Sequence, residues 1–493
     1  MSKEQKIVKT KKRIPVVECD CNQTEIEEIV ALPKVMIQGS KIPNSGTYVA
    51  PENKYPYTLK EFENGPVLKN DGKPFKWGTI IPLIGGMSMG CALATQKKPD
   101  FMVTFSGFMG NEKSLVDYWP DVPYHNLDEY DIPMFANTES AEEKKSLSLL
   151  AEAFKDVDFM NAVPPCAGLS SLNASKGRSE MSRGSDAIQN QWMYKSARFV
   201  LEHVKPKVLW GENAPALFTK TGVGVATKLA EIAKEFGYSF SLMKTNSLLH
   251  GVPQKRERTF YFFWNSETAP IMNFMSRDEA FLPDFLAQIP EGVYQHDGEE
   301  WTTPVYPSYD WVLKQNNKTH AEWVAEHDHT TLHNHLAWTG KIDEAIEVIR
   351  KDYADAEAAE WEIKNLVHVK NKLAKKMGWW DNSPHFFHGH FNAVVGRNMY
   401  RGMHPTKMRF LTLRELIWLM GHPHDFNMWE NEKGNAATQQ ISQNVPVVTA
   451  SHFAMEVMKF INGELPFSNE KDFRQNNKHQ NRATVNDKAK KLF

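Results

Sequence analysis

At 493 residues the chain is long enough for two or three domains, each with its own core. A hydrophobic content of 41% with 24% charged residues is that of a globular enzyme, and a formal net charge of -2 gives no global attraction for polyanions; any nucleic-acid contact must rest on local basic patches. The only cysteines, Cys19, Cys21, Cys91 and Cys166, argue against a disulfide framework and fit a reducing cytoplasm. No apolar run reaches the length of a membrane span, and the first residues hold no signal-peptide core.

Met1 to Arg13 is Lys-rich and reads as a solvated tail. Residues 14–75 mix short apolar pieces with Pro, Gly and Asn, and only Ile14–Val17 and Val35–Gln38 are expected as strands. From Trp77 the pattern changes. Thr79–Ile84 is a predicted strand, followed by the glycine turn Gly85-Gly86-Met87-Ser88-Met89-Gly90 and then a helical run through Ala94; such a turn lets backbone amides approach a ligand at the helix N-terminus. Phe101–Phe105 is the next strand, and a helix capped by Asn137 or Thr138 is expected through Phe154. Val157–Val163 follows as a strand that Pro164-Pro165 terminates, because neither proline donates a ladder hydrogen bond.

The alternation continues with a helix over Gln189–His203, a strand at Val208–Trp210, a helix over Val225–Phe236 and strands at Tyr238–Lys244 and Thr259–Trp264. Alternating strands and helices predict an α/β fold with a doubly wound sheet, which binds ligands at the carboxyl ends of its strands. From Asn265 to Pro405, Trp, His, Asn and charged residues dominate and the alternation stops; a charged helical run lies near Ile342–Lys376. A patterned helix resumes at Arg409 and ends at Gly421, with Thr412 and Glu415 at capping-box spacing. A last helix, Val447–Ile461, precedes a polar tail expected to be disordered.

Cys166 stands after the Pro-Pro strand end and before a Ser-, Gly-, Lys- and Arg-rich run reaching Asp186. Locally it is either a buried packing thiol or a presented nucleophile, and free cysteines are more often the former. Other strand ends bear on the choice. Glu212 follows an apolar strand, and Arg256 and Arg258 lead into another. A thiolate attacking C6 of a pyrimidine makes C5 nucleophilic; a carboxyl at N3 and an arginine at O2 stabilise the charge that develops.

These residues sit in recognisable blocks. The chain resembles the DNA cytosine-C5 methyltransferases: Val163-Pro164-Pro165-Cys166 matches the family's Pro-Cys motif, Gly211-Glu212-Asn213-Ala214 its Glu-Asn-Val motif, and Gln254-Lys255-Arg256-Glu257-Arg258 its Gln-x-Arg-x-Arg motif. Arg409–Glu415 with Leu419–Pro423 and Phe426 resembles the block after the recognition domain, and Gln440–Pro446 the last block, Gln-Ile-Gly-Asn-Ser/Ala-Val-Pro. The resemblance implies a Rossmann-like methyltransferase sheet with an inserted target-recognition domain. Cys166, Glu212, Arg256 and Arg258 become the catalytic set, acting on a flipped cytosine. The cofactor implied is S-adenosylmethionine, held by Ile84, Gly85, Gly86, Met87, Glu112, Asp128, Pro164, Gln443, Asn444 and Val445. Double-stranded DNA is the implied partner, touched by Ser170, Lys176, Arg178, Arg183 and Gln254. A recognition segment of about 140 residues suits a duplex read in its grooves rather than RNA. A non-catalytic DNA-binding regulator is a further alternative, against which the intact Cys166, Glu212, Arg256 and Arg258 count. A cytoplasmic, nucleoid-associated monomer is expected.

The expected organisation is an N-terminal extension (1–75), a catalytic and cofactor-binding domain (76–264), a target-recognition domain (265–405), a return to the catalytic domain (406–465) and a polar tail (466–493). Several positions depart from the family pattern. Pro82-Leu83 stands in place of Phe-x-Gly, Ser106-Gly107-Phe108 in place of an acidic residue, Ala167 in place of Gln, and Ser442-Gln443 in place of Gly-Asn. These changes touch the donor site more than the chemistry and permit a modified donor, such as a carboxylated S-adenosylmethionine. Neither His327, His329, His333 and His335 nor His385, His388 and His390 has the spacing of a common zinc motif, and Cys19-Asp20-Cys21 lacks a partner pair. No metal site is expected. Trp379 and Trp380 read as packing residues that could also stack on a base.

Overall fold

The computed structural model describes residues 34–35, 57–130, 150, 152–170, 187–272, 280–288, 342–352, 356–374, 385–386, 390–394, 402–403, 411, 413–428 and 434–476. In chain order the strands are β1 (Lys34–Val35), β2 (Trp77–Ile80), β3 (Phe101–Thr104), β4 (Tyr124–Asn126), β5 (Phe159–Ala162), β6 (Val208–Asn213), β7 (Ser239–Asn246), β8 (Gln254–Lys255), β9 (Glu257–Trp264), β10 (His385–Phe386), β11 (Phe391–Asn392), β12 (Gly402–Met403) and β13 (Asp472–Asn476). The helices are α1 (Gly86–Thr95), α2 (Met109–Tyr118), α3 (Ile188–Phe199), α4 (Val223–Glu235), α5 (Leu282–Ala287), α6 (Ile342–Asp352), α7 (Ala356–Ala374), α8 (Leu413–Leu419), α9 (Gly434–Gln443) and α10 (Val447–Ile461).

Among the described residues, nine strands form one sheet in the order β1-β13-β7-β9-β6-β5-β2-β3-β4. Within it β9 alone runs antiparallel to its neighbours β6 and β7. Strands β2, β3, β5 and β6 are buried at every position, which explains why they read as apolar runs: both faces are covered. This is the Rossmann-like α/β sheet that the alternation predicts. Its order reverses at β2, with β3 on one side and β5 on the other, so the loops after these strands flank a crevice.

Helices α1 and α10 pack together along their lengths. Glycine makes the approach possible: a Cβ on Gly90 would stand 2.5 Å from Ala450 Cβ and 2.6 Å from the Val447 carbonyl oxygen. Phe453 of α10 then covers the aromatic face of the sheet, 4.0 Å centroid to centroid from Phe260, beside Trp210 and Phe262, which stack at 5.8 Å.

At the amino ends of the strands, Asp158 is 1% exposed. It accepts from Lys69 Nζ, Lys207 Nζ and the Lys76 amide, each at 2.9 Å. This clamp fastens the segment before β2 to the strand that leads to Cys166. Residues 57–60 strap the molecule further. The Tyr57 hydroxyl donates to the Gly421 carbonyl, and Thr58 and Tyr118 both donate to Asp425, at 2.9 and 2.8 Å.

Several boundaries move. The predicted strand 79–84 is Trp77–Ile80, because Ile81 turns to φ 51° and ends it. The strand 208–210 extends to Asn213 and the strand 259–264 begins at Glu257, which places Glu212 and Arg258 inside strands rather than on loops. The charged run 342–376 is two helices, α6 and α7. The polar tail expected from residue 466 needs correction: Asp472–Asn476 pairs with β7 in parallel and buries Phe473 completely. The strand 14–17, residues 36–38 of the strand 35–38, the capping residues Asn137, Thr138 and Thr412, and Trp379 and Trp380 lie outside the described residues.

Candidate active site

Register explains how Glu212 and Arg258 meet. Glu212 lies opposite Phe260 across the β6–β9 ladder. Arg258, two residues earlier on β9, therefore points to the same face and reaches Glu212 diagonally. Arg258 Nε stands 2.6 Å from Glu212 Oε1. The guanidinium N–H is off the line of that contact, so neither atom gains an aligned hydrogen bond. Burial raises the Glu212 carboxyl above its usual range, with Arg258 and then Arg256 opposing. A carboxyl so placed favours the protonated form, a donor.

Cys166 emerges from the loop after β5, half-buried, with the amides of Leu169 and Ser170 bonded to its carbonyl at 3.0 and 2.9 Å. Surrounding protein atoms raise the thiol; Arg258 pulls it down, Glu212 pushes it up and Arg256 pulls it down again. Thiol, carboxyl and guanidinium therefore act on one another through space. Below them a buried polar set supports the strand ends. Thr79 Oγ1 donates to Asn161 Oδ1 at 2.8 Å, Ser88 Oγ to Thr79 Oγ1 at 3.1 Å, and Asn161 Nδ2 approaches Cys91 Sγ at 3.4 Å.

Two members of the Gln-x-Arg-x-Arg block are turned into the protein. Gln254, expected to contact DNA, is fully buried: its amide nitrogen donates to the Leu419 carbonyl at 3.0 Å and its oxygen accepts from the Val394 amide at 3.1 Å. Its polar atoms are engaged within the protein, which corrects that expectation. Arg256, 1% exposed, donates to the carbonyls of Val394, Ser442 and Asn444 at 3.0, 2.7 and 2.7 Å. It is a clamp beside the reacting groups rather than one of them. Burial, with Arg258 adding to it, lowers its guanidinium to about 9, which still leaves it charged at neutral pH.

The residues expected at the cofactor divide into an enclosed set and an open rim. Ile84, Gly85, Gly86, Met87, Pro164, Asn444 and Val445 are buried, and Gln443 is half-exposed. Glu112 is fully buried, takes the Tyr124 hydroxyl at 2.6 Å, and is raised to about 7 by burial. The turn itself is strained: Ile81 at φ 51° and Leu83 at φ 54° are left-handed without being glycine, the kind of conformation concentrated at functional loops. The rim beyond β3 and β4 is open. A Cβ on Gly107 or Gly110 would meet nothing within 4 Å. Exposed Asp128 accepts from the Ser106 amide at 2.7 Å, and Asn126 Nδ2 donates to Ser106 Oγ at 2.9 Å. That donor set, a solvent-facing carboxylate beside a hydroxyl at the strand ends, suits a nucleoside. The rim fits S-adenosylmethionine at its polar end.

Of the expected DNA contacts, Ser170 lies four residues past Cys166, half-exposed; Lys176, Arg178 and Arg183 lie outside the described residues, as do His327, His329, His333, His335 and His388. Among the described residues no three His, Cys, Asp or Glu side chains gather to hold a metal. No helix there is long and apolar enough to cross a membrane.

The sequence model of the family described as C-5 cytosine-specific DNA methylase matches residues 125–459. The Type II methyltransferase M.Bpa9945I of Bacillus paralicheniformis is 23% identical over 334 residues, which span 62% of this chain and 71% of that protein. Among solved structures, a DNA modification methyltransferase encoded within an E. coli prophage aligns over 79% of this chain and 99% of its own, at 17% identity and a TM-score of 0.48. The Entamoeba histolytica methyltransferase EhMeth aligns over 79% and 98%, at 12% identity and a TM-score of 0.46.

Proposed function

The chain belongs to the C-5 cytosine-specific DNA methylase family, and from that premise we propose that it methylates C5 of a cytosine flipped out of duplex DNA, through a covalent bond between Cys166 and C6. The observation that carries this reading is the convergence of a half-buried thiol, an elevated carboxyl and a guanidinium 2.6 Å from that carboxyl at adjacent strand ends. Flipping follows from reach, since a thiol on a strand-end loop cannot touch C6 within a stacked helix.

Each residue has a distinct task. Cys166 Sγ forms the bond to C6, and the displaced electron pair moves toward C5 and N3. Glu212, whose carboxyl burial raises, donates to N3 in its acid form and stabilises that charge. Arg258 holds the carboxyl in place and offers its remaining N–H groups to O2. Bound S-adenosylmethionine supplies an electrophilic methyl to C5. Loss of the C5 proton to a base then lets Cys166 depart from C6 with its electron pair, which restores the ring and the thiolate. Arg256 touches no reacting atom; it fixes the backbone at 394, 442 and 444 around the site.

The donor is placed at the open rim by Asp128 and Ser106, with the buried Gly85-Gly86 turn as its floor. Residues 265–405 are the recognition segment. Their end is tied to the active site because β11 pairs in parallel with β8, Phe391 opposite Gln254. DNA contacts from Ser170, Lys176, Arg178 and Arg183, and action as a monomer, complete the reading.

Nucleoside mass spectrometry of duplex DNA treated with the protein and S-adenosylmethionine tests it. 5-Methylcytosine is the expected product. Its absence with the ordinary donor, together with a carboxymethylated base when a carboxylated donor is supplied, would reassign the donor. Product from RNA alone would reassign the substrate.

A further inference from the structure

Asn444 stands where the last family block has Ser or Ala, and its side chain is put to a specific use. Its Oδ1 accepts from the Gly86 amide at 2.9 Å, and Gly86 is the first residue of α1. An α-helix leaves its first amides without intrahelical partners, and a side-chain oxygen that accepts from one of them is a cap. Here the cap comes from a residue 358 positions away, while the local N-cap, Gly85, has no side chain to offer. The fit is close: a Cβ on Gly86 would lie 2.1 Å from the Val445 carbonyl oxygen and 2.5 and 2.7 Å from the Asn444 amide atoms. Glycine at 86 makes room for the chain's own last block.

The amide orientation follows from that bond. With Oδ1 committed to the Gly86 N–H, Asn444 Nδ2 faces His422 Nε2 at 2.9 Å, which assigns that ring nitrogen as the acceptor in the neutral Nδ1–H tautomer. Burial agrees, lowering His422 to about 4. His422 is fully buried against Phe426, with ring centroids 4.9 Å apart. Its Nε2 also lies 3.3 Å from the Ile84 carbonyl oxygen, which brings it against the residue preceding Gly85. The backbone of Asn444 is fixed independently by Arg256. A chain of contacts therefore runs from the base-holding strand, through Arg256 and Asn444, to the turn after β2.

We propose that Asn444, oriented by His422 and anchored by Arg256, is the positioning residue that fixes the Gly85-Gly86 turn in the shape the methyl donor binds. The proposal rests on the methyltransferase reading for the identity of that donor. It assigns the Gly86 amide to the protein itself, so the donor's carboxylate is held elsewhere. The side chain of Asn444 is buried, which sets it apart from the exposed rim formed by Ser106 and Asp128.

Two measurements test this on the full chain. In the first, hydrogen–deuterium exchange of the peptide spanning the turn is followed without donor. Asn444→Ser is expected to speed exchange at Gly86 and Met87 by roughly tenfold, the loss of one cap. His422→Phe, which strands Asn444 Nδ2, is expected to do the same in part, and His422→Gln, whose side-chain oxygen can accept, to restore protection. In the second, KM for S-adenosylmethionine is expected to rise roughly tenfold in Asn444→Ser with kcat far less affected, and to return toward normal in His422→Gln relative to His422→Phe. Unchanged exchange and unchanged KM in Asn444→Ser overturn the proposal, and so does a lower KM, which would make Asn444 a plug. Faster exchange with an unchanged KM removes the donor role. A wild-type protein that forms no methylated base defeats the methyltransferase reading separately, because the exchange result does not depend on donor.

Discussion

The two rims of the central sheet are built to opposite rules. At the amino ends Asp158 is almost fully buried yet takes three donors at 2.9 Å, two of them lysine ammonium groups. At the carboxyl ends Glu212 is as deeply buried, while its partner Arg258 is partly exposed. There the closest approach is a 2.6 Å charge contact without an aligned hydrogen bond, and Arg256 Nε has no partner among the described residues. A satisfied buried carboxylate stabilises a fold, whereas under-satisfied polar groups at the other rim hold bonding capacity in reserve for a substrate. On the proposed function, the same carboxylate chemistry serves packing at one end of β5 and catalysis at the end of neighbouring β6.

Substitutions separate the rims. Cys166→Ala should lower methyl transfer by roughly 10⁴-fold or more while leaving thermal stability near wild type, since it removes the covalent route. Glu212→Gln, which keeps the shape but changes the donor, should cost about 10²- to 10³-fold in kcat. Asp158→Asn should do the reverse. The half-exposed Lys207 tempers the loss, so about 2–3 kcal/mol of unfolding free energy is expected in a denaturant titration, with activity per folded molecule unchanged. A kcat loss in Asp158→Asn comparable to that of Glu212→Gln would erase the distinction between the rims.

The smallest expected effect concerns pH. Glu212 is raised, so its acid form persists to higher pH than a free carboxyl's and is lost as pH climbs through the elevated value. Cys166 is also raised, so its thiolate fraction grows as pH climbs. The two requirements oppose each other, and kcat/KM should be bell-shaped. Glu212→Gln cannot lose that proton and should flatten the alkaline limb while keeping the acid one. A profile unchanged in shape would remove Glu212 as the titrating acid.

Much of this was legible in the sequence because it is local or periodic. The Pro-Pro stop places Cys166 after β5, the glycine turn opens α1, and the helix expected over Val447–Ile461 has those bounds. What escaped depends on contacts between distant segments. Gln254 looks like a ligand-facing group in a polar motif, and nothing nearby shows that backbone at 394 and 419 consumes its hydrogen bonds, or that the backbone Arg256 supports lies at 394, 442 and 444. The Asp158 clamp draws on lysines 89 and 49 positions away. Strand β13 is polar apart from Phe473 and reads as tail until β7 offers it an edge. Asn444 did carry a signal: a larger amide in a place of small residues needs a partner, and the structure supplies Gly86 and His422.

The most direct test of the account is trapping with duplex DNA containing 5-fluorocytosine, in the presence of S-adenosylmethionine, followed by peptide mapping. Fluorine at C5 cannot leave as a proton does, so the adduct should persist, map to Cys166 and vanish in Cys166→Ser. No adduct with the wild-type protein, or one attached to another residue, would contradict the assignment of Cys166 as the nucleophile.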